Sequence, residues 1–368
     1  MRVETLLPLG KLDPGLRAPD AGLDVRTVFE QARQVEALGY DGLFFEETKD
    51  DPFPLIALAA QATERITLGT SVAIAFPRSP TTMAMTAWTL QKLSGGRFVL
   101  GLGSQVKGHL ERRYGLAFSP LGPWMREYIQ AVRAVWAHWQ DGAALDVRGP
   151  HYTINLMVPL FNPGPIEHPA IAIHLAAVNR LMCQIAGEVA DGMRPHPVCT
   201  ASYIENVMIP AAKVGAAKAG RPLGDFAISI KPLIATGATE ADVADRMEAV
   251  RARIAFYAST PAYVAAFEFH GLGDLAREMS KLSRAQRWEE MPRFITDDIL
   301  HQYAVVGTYE TIGRELHDRY GGVATNAEFS IPQTAPHDAD VLAALIRELH
   351  AQPSPAVLTH GDLSQGER

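Results

Sequence analysis

Residues 66–104 read ITLGTSVAIAFPRSPTTMAMTAWTLQKLSGGRFVLGLGS, and the order of patterns in them decides the fold. Ile66 to Val72 is a strand signal. Thr81 to Leu93 follows as a helical stretch. Ser94-Gly95-Gly96 stops that helix, and Phe98-Val99-Leu100 opens a second strand that ends on Gly101-Leu102-Gly103. Strand, helix and strand in this order form a βαβ unit. Ligands of α/β proteins gather at the carboxyl ends of such strands, so the stretch predicts an architecture and the place of a site.

The alternation continues in both directions. Val3 to Leu7 reads as a first strand ending at Pro8-Leu9-Gly10. Asp24 to Leu38 is helical, with Val25, Val28, Phe29, Ala32, Val35 and Leu38 at helical spacing and Gly39 as its C-cap. Asp41 to Phe45 is a second strand, and Pro52 opens a helix to about Thr63. Trp124 to Trp139 is a long amphipathic helix. Val147 to Tyr152 reads as a short hairpin, and residues 155–169, rich in Pro and Asn, as an insertion loop. Ile171–Ala176, Gly192–Arg194, Phe226–Ala235 and Thr325–Ser330 are further strands. Helices over Arg180–Ala190, Ser202–Ala219 and Glu240–Tyr257 separate them, with one from Thr308 to about Arg319 and a last one over His337–Leu349.

About eight βα units predict an α/β protein, a (β/α)8 TIM barrel forming one domain over 1–352. Insertions fall at about 104–123, 146–169 and 259–300, and residues 353–368 read as a mobile C-terminal tail. A doubly wound open sheet is the structural alternative. It is disfavoured because the turn after the first strand, Pro8-Leu9-Gly10-Lys11, lacks the G-x-G-x-x-G fingerprint.

Bulk composition narrows the partners. The chain has 368 residues, 47% of them hydrophobic, enough for a large core. Net charge is -7 without a long basic run, which argues against nucleic acid or an anionic membrane as partner. Two cysteines, Cys183 and Cys199, have no metal-binding spacing and fit a reducing compartment. MRVETLLPLG is too short and too soon interrupted for a signal peptide, and no apolar run reaches a membrane span. The expectation is a soluble cytoplasmic protein with a small-molecule substrate.

In a barrel the active face is built from residues just past each strand. The second strand offers Glu46, Glu47, Thr48 and Lys49. The third offers Thr70, Ser71 and Val72, then Phe76. The fourth offers Gly103, Ser104 and Gln105, with Lys107, His109, Arg112 and Arg113 crowded behind them. The fifth offers Ala177, Val178 and Asn179, the sixth His196, the seventh Lys231 or Thr236. Gly101-x-Gly103 permits close approach of backbone to a planar ligand, or makes a tight turn. The histidines lack H-x-x-x-H or H-E-x-x-H spacing, so no metal is expected, and no G-x-S-x-G elbow occurs.

The segments LGYDGLFFEETKDDPF (38–53), ERITLGTSVAIAFPRSP (64–80), TAWTLQKLSGGRFVLGLGSQVKGHLERRYG (86–115), MREYIQAVRAVW (125–136), EVADGM (188–193) and IAFYASTPAY (254–263) stand in an order that resembles one family. It is that of the bacterial-luciferase-like flavin- and F420-dependent oxidoreductases, most closely its F420-linked actinobacterial branch. The resemblance implies a (β/α)8 barrel with insertions, a homodimer, and a deazaflavin ring at the strand ends. It also implies a non-prolyl cis peptide at Ser71–Val72, bulging against that ring. Glu47 and Thr48, Thr70 to Val72, and Gly103 to Gln105 match ring neighbours. Ala177-Val178-Asn179-Arg180 matches the cradle of the cofactor phosphate, a task that suits a helix N-terminus.

Two departures matter. The F420-dependent sugar-phosphate dehydrogenases of this fold carry Asp-His where Glu47-Thr48 stands, and a catalytic Glu where Val106 stands. That activity is not expected here. Glu47, His109 and His196 are the candidate proton-transfer groups. The expected function is hydride transfer between coenzyme F420 and a small organic substrate. The alternatives are an FMNH2-dependent monooxygenase using O2, with FMN as cofactor, and a non-catalytic cofactor-binding barrel.

Overall fold

The computed structural model describes residues 1–11 and 22–352. Eight parallel strands form the barrel: β1 (Arg2–Leu6), β2 (Gly42–Phe45), β3 (Thr67–Thr70), β4 (Phe98–Gly103), β5 (Ala172–Ala177), β6 (Gly192–Pro195), β7 (Ala227–Ile230) and β8 (Asn326–Glu328). Their order is β3-β2-β1-β8-β7-β6-β5-β4, and a β3–β4 pairing, Leu68 with Phe98 and Gly69 with Val99, closes the ring. The fold is a (β/α)8 TIM barrel.

Local chemistry sets where the helices between strands begin and end. α1 (Val28–Ala37) follows a short 3-10 turn, Val25–Thr27, and is succeeded by Gly39 at φ 93. α2 (Pro52–Ala62) starts at proline, with the Asp51 side chain accepting from the Phe53 N–H at 3.1 Å. α3 (Pro80–Leu93) uses Ser79 in the same way. α4 (Leu121–Asp141) ends at Gly142, φ 69, where a left-handed residue is needed. Trp88 of α3 packs against Trp136 and Trp139 of α4, so the tryptophans of these two helices belong to the core. α5 (Arg180–Val189) and the helical run from Ala201 to Lys218, with π geometry over Ile204–Met208, cover β5 and β6. Cys183 and Cys199 are both buried and free.

The structure departs from expectation after β7. The strand expected over Phe226–Ala235 breaks at Lys231-Pro232. Proline has no N–H for the ladder, and the chain leaves the barrel there. Leu233–Gly237 instead pairs in parallel with Ala304–Thr308, a strand that the sequence pattern did not reveal. Thr308 therefore ends a strand rather than capping a helix; that helix begins at Ile312 after the turn closed by Thr311 N–H on Thr308 O. Between the two strands lies α6 (Glu240–Ala258), opened by a capping box of Thr239 and Asp242. Shorter helices, Val264–Glu268, Gly273–Arg284 and Asp297–Tyr303, complete that insertion. The segment after β4 contains a short helix, Lys107–Arg112. The 146–169 insertion carries the expected hairpin, Val147–Arg148 against Thr153–Ile154. α7 (Asp338–Ala351) is the last helix described, and the tail expected over 353–368 lies outside the described residues. Among the described residues no helix is long and apolar enough to cross a membrane.

Candidate active site at the barrel mouth

Two tiers of charge occupy the barrel axis. In the lower one, Arg194 of β6 reaches across to Glu4 of β1, Nη2 to Oε2 at 2.6 Å. Asn326 of β8 donates to the other Glu4 oxygen at 2.6 Å. Strands β1 and β6 are not neighbours in the sheet, so these bonds cross the lumen. The Arg194 guanidinium lies 4.0 Å from the Phe44 ring centroid and contacts Ser71 Oγ at 3.4 Å. The Arg194 and Glu4 side chains are only 7% and 4% exposed. Burial, then the Arg194 charge, pushes the nearby His174 down to about 3, so its imidazole is neutral.

The upper tier lies at the strand ends. Lys231, just past β7, meets Glu46 past β2 at 2.7 Å and Glu328 at the end of β8 at 3.2 Å. Burial works to lower the lysine pKa, but the charges of Glu328 and Glu46 outweigh it and hold it above the ordinary lysine value. Burial, and secondarily Glu46, lift Glu328 above the usual carboxylate range, while Lys231 opposes the lift. These three side chains line a cavity of about 430 Å³. Its far wall is α6, through Arg246, Val250 and Tyr257. The Tyr257 hydroxyl is raised by burial, against the pull of Arg253 and Lys231.

Beside these tiers the chain leaves β3 through a non-prolyl cis peptide at Ser71–Val72 and rejoins β4 at Ala73–Ile74. Gly101 and Gly103 make room for this bulge. A Cβ on Gly101 would lie 1.8 Å from the Thr70 carbonyl oxygen, and one on Gly103 would lie 2.6 Å from Val72 Cγ2. The close approach that the glycines permit is thus first of all that of the bulge itself.

The residues singled out from the sequence fall into distinct groups. Ser71, Val72 and Gly103 come together at the bulge, with Ser71 and Val72 half-buried. Thr70 is fully buried and spends its hydroxyl on the Gly101 carbonyl at 2.6 Å, so its side chain is a brace. Ser104 and Gln105 follow the bulge's partner strand, and Gln105 holds φ 58. Ala177 is buried in the ladder opposite Pro195, and the Val178 carbonyl accepts from the Tyr203 hydroxyl at 3.1 Å. Asn179 caps α5 through Met182 N–H at 3.0 Å, leaving Arg180 exposed at its first turn.

Among the candidate proton-transfer groups, Glu47 accepts from Ile74 N–H at 2.7 Å and from Arg78 at 2.7 and 2.8 Å, which ties down the chain after the bulge. Thr48 and His109 are exposed, His109 on the short helix after β4. His196 is clamped by aromatic rings, stacked on Tyr263 at 4.0 Å with Tyr257 edge-on at 4.6 Å. Burial, then the Lys231 charge, lowers it to about 3.

Sequence reasoning passed over Glu4, Arg194 and Glu328. The available signal was a charged residue in the middle of a strand run, Glu4 between Val3 and Thr5 and Arg194 between Met193 and Pro195. Such strands are buried on both faces in a parallel barrel, and a charge there needs a partner across the lumen. Among the described residues no group of three or more His, Cys, Asp or Glu side chains is placed to hold a metal ion.

A closed parallel barrel with titratable side chains gathered at the carboxyl ends of its strands is the architecture of a barrel enzyme. A family model described as luciferase-like monooxygenase matches residues 6–326, and the chain belongs to that family. An uncharacterized protein of Mycobacterium tuberculosis is 42% identical over 294 residues, covering 80% of this chain and 86% of the relative. An F420-dependent glucose-6-phosphate dehydrogenase of Beutenbergia cavernae is 30% identical over 214 residues, covering 54% of this chain and 56% of the relative. Among solved structures, the coenzyme F420-dependent tetrahydromethanopterin reductase of Methanopyrus kandleri superposes with a TM-score of 0.71 at 18% identity, covering 95% and 98% of the two chains. Monooxygenases are also among the similar folds.

Proposed function

We propose that this protein is an F420-dependent oxidoreductase that passes a hydride between the deazaflavin and a small organic substrate. The observation that carries the reading is the half-buried Val72 bulge seated over two glycines at the barrel mouth, on the strand-end face where Lys231, Glu46 and Glu328 line a cavity of their own. This arrangement fits a flat ring: an apolar shelf on one side and polar groups on the other. Arg180 and the first turn of α5 suit an anionic tail, because unpaired N–H groups and the helix dipole favour negative charge there. Deazaflavin is favoured over FMN by the relatives named above that use it.

When bound, the cofactor supplies or accepts the hydride. The protein's own residues orient the ring, exclude water and move one proton. Glu47 and His109 suit proton transfer poorly, the first bound to Arg78 and Ile74, the second exposed outside the cavity. Glu328 faces the cavity and burial lifts its carboxyl above the usual range, while Lys231 stays charged beside it, which makes Glu328 the better candidate. The Asp-His pair of the sugar-phosphate dehydrogenases is replaced by Glu47-Thr48, so a sugar phosphate is not the proposed substrate.

Titrating the purified protein with F420 and with FMN tests the cofactor. Micromolar F420 binding is expected, and FMN binding without F420 binding would overturn the reading in favour of a monooxygenase. An F420H2 oxidation assay with enones, imines and ketones then tests the chemistry. Glu328→Gln is expected to lower kcat by about 10²–10⁴-fold with F420 affinity nearly unchanged.

A further inference from the structure

A second row of polar side chains lies apart from the barrel axis. Ser119, two residues before α4, has its Oγ 2.7 Å from His151 Nε2. The other ring nitrogen, Nδ1, lies 2.5 Å from Glu127 Oε2. A carboxylate oxygen accepts, so Nδ1 donates to Glu127 and Nε2 is left to accept the serine proton. The ring has little freedom to turn. It lies flat on Trp124 with centroids 5.2 Å apart and planes 11° apart, and Trp124 in turn stacks on Phe76 at 3.8 Å. The Glu127 and His151 side chains are 13% and 17% exposed, which shields their bond from water.

A hydroxyl, an imidazole and a carboxylate joined in this order at these distances make an activated nucleophile. A simple brace would need less. Glu127 Oε1 already accepts from the His151 and Tyr152 N–H groups at 3.0 and 2.7 Å, which pins the hairpin insertion to α4. The imidazole and serine bonds are additional to that. Ser119 also stands just ahead of a 21-residue helix whose N-terminus no side chain caps. First-turn N–H groups such as those of Leu121 and Gly122 are suited to a developing oxyanion. Phe118, next to the serine, is 41% exposed and offers apolar surface to a short acyl chain.

We propose that Ser119, His151 and Glu127 form a second catalytic site that hydrolyses small carboxylic esters without the cofactor. Ser119 Oγ bonds to the ester carbonyl carbon as its proton passes to His151 Nε2. The carbon–alkoxy bond then breaks, and His151 returns the proton to the departing alcohol. Water attacks the acyl-serine, its proton passing through His151 to Ser119 Oγ, and the carboxylic acid leaves. Nothing is oxidised or reduced, and Glu127 holds the ring and balances its positive charge.

The full chain is treated with a fluorophosphonate probe and mapped by peptide mass spectrometry, and p-nitrophenyl acetate and butyrate hydrolysis is followed in parallel. The probe is expected on Ser119, with saturable hydrolysis that falls to background in Ser119→Ala and by about 10²–10⁴-fold in His151→Ala. Ser119→Ala is the deciding variant because it keeps both hairpin bonds to Glu127; circular dichroism and thermal melting confirm that it folds. An unlabelled Ser119 in the folded wild-type chain, or hydrolysis that survives Ser119→Ala, would overturn the proposal. F420 binding is read separately, so the outcome is independent of the cofactor assignment.

Discussion

Gly101 and Gly103 differ in what an added methyl would strike. At 101 it meets the Thr70 backbone carbonyl, which cannot move without unpairing β3; at 103 it meets the Val72 side chain, which can. Gly101→Ala is therefore expected to cost about 1–3 kcal/mol or more of stability, measured as a lower urea midpoint. Gly103→Ala should stay closer to wild-type stability and instead weaken F420 binding by displacing Val72. Equal losses of binding and stability in both variants would remove Val72 from the ring's surroundings. Arg194 gives a second residue-scale test. Its buried pair with Glu4 leaves a carboxylate stranded when the guanidinium is removed, so Arg194→Met should cost about 3–5 kcal/mol. Adding Glu4→Gln should recover part of that, and strict additivity in denaturant melts would argue against the coupling. Residue types at strand ends were legible in the sequence. Which of them face each other was not, because Glu4 lies 190 positions from Arg194 and 322 from Asn326 along the chain and meets them only inside the closed barrel.

At the scale of elements, α5 shows how one residue can carry two readings. The family resemblance implies a place for Asn179 in a phosphate cradle, and in the structure its side chain is the N-cap of α5. Asn179→Ala is expected to lower stability by about 1 kcal/mol, with Asn179→Ser retaining most of it. Arg180→Ala should leave the melting temperature unchanged and weaken F420 binding, most strongly at low salt. A salt-independent loss would place the anionic tail elsewhere. The βα alternation up to β6 was readable because the strands are short, largely apolar runs and because α2, α3 and α5 start at side-chain caps, Asp51, Ser79 and Asn179. It failed after β7, where Pro232 splits one apolar run and the new strand Leu233–Gly237 finds its partner some seventy residues on. Pairing over that span leaves no local pattern.

For the whole molecule, the buried histidines set a pH dependence. His174 and His196 are neutral in the folded state down to about 3, against an ordinary value of 6.5. Between those values the unfolded chain binds more protons than the folded one. Their contribution is therefore complete above about pH 6.5 and is lost as pH falls, by about 1.4 kcal/mol per pH unit for each histidine. Denaturant midpoints measured from pH 7 to pH 5 should fall, and His174→Asn should flatten the slope. An unchanged slope would mean that His174 is charged in the fold.

The sequence by itself determined the barrel: largely apolar strands of three to six residues, helices between them and the glycines at 101 and 103 leave few other ways to bury 47% hydrophobic residues. It also marked the strand ends where chemistry belongs. Only the tertiary structure decided which of those residues act together. Closure of the ring brings Glu46, Lys231 and Glu328 to one cavity floor and commits Glu47 to Arg78. It also folds the 146–169 insertion back so that His151 lies between Ser119 and Glu127. Electrostatic partners are chosen by distance in space, and that distance is fixed only when the barrel closes.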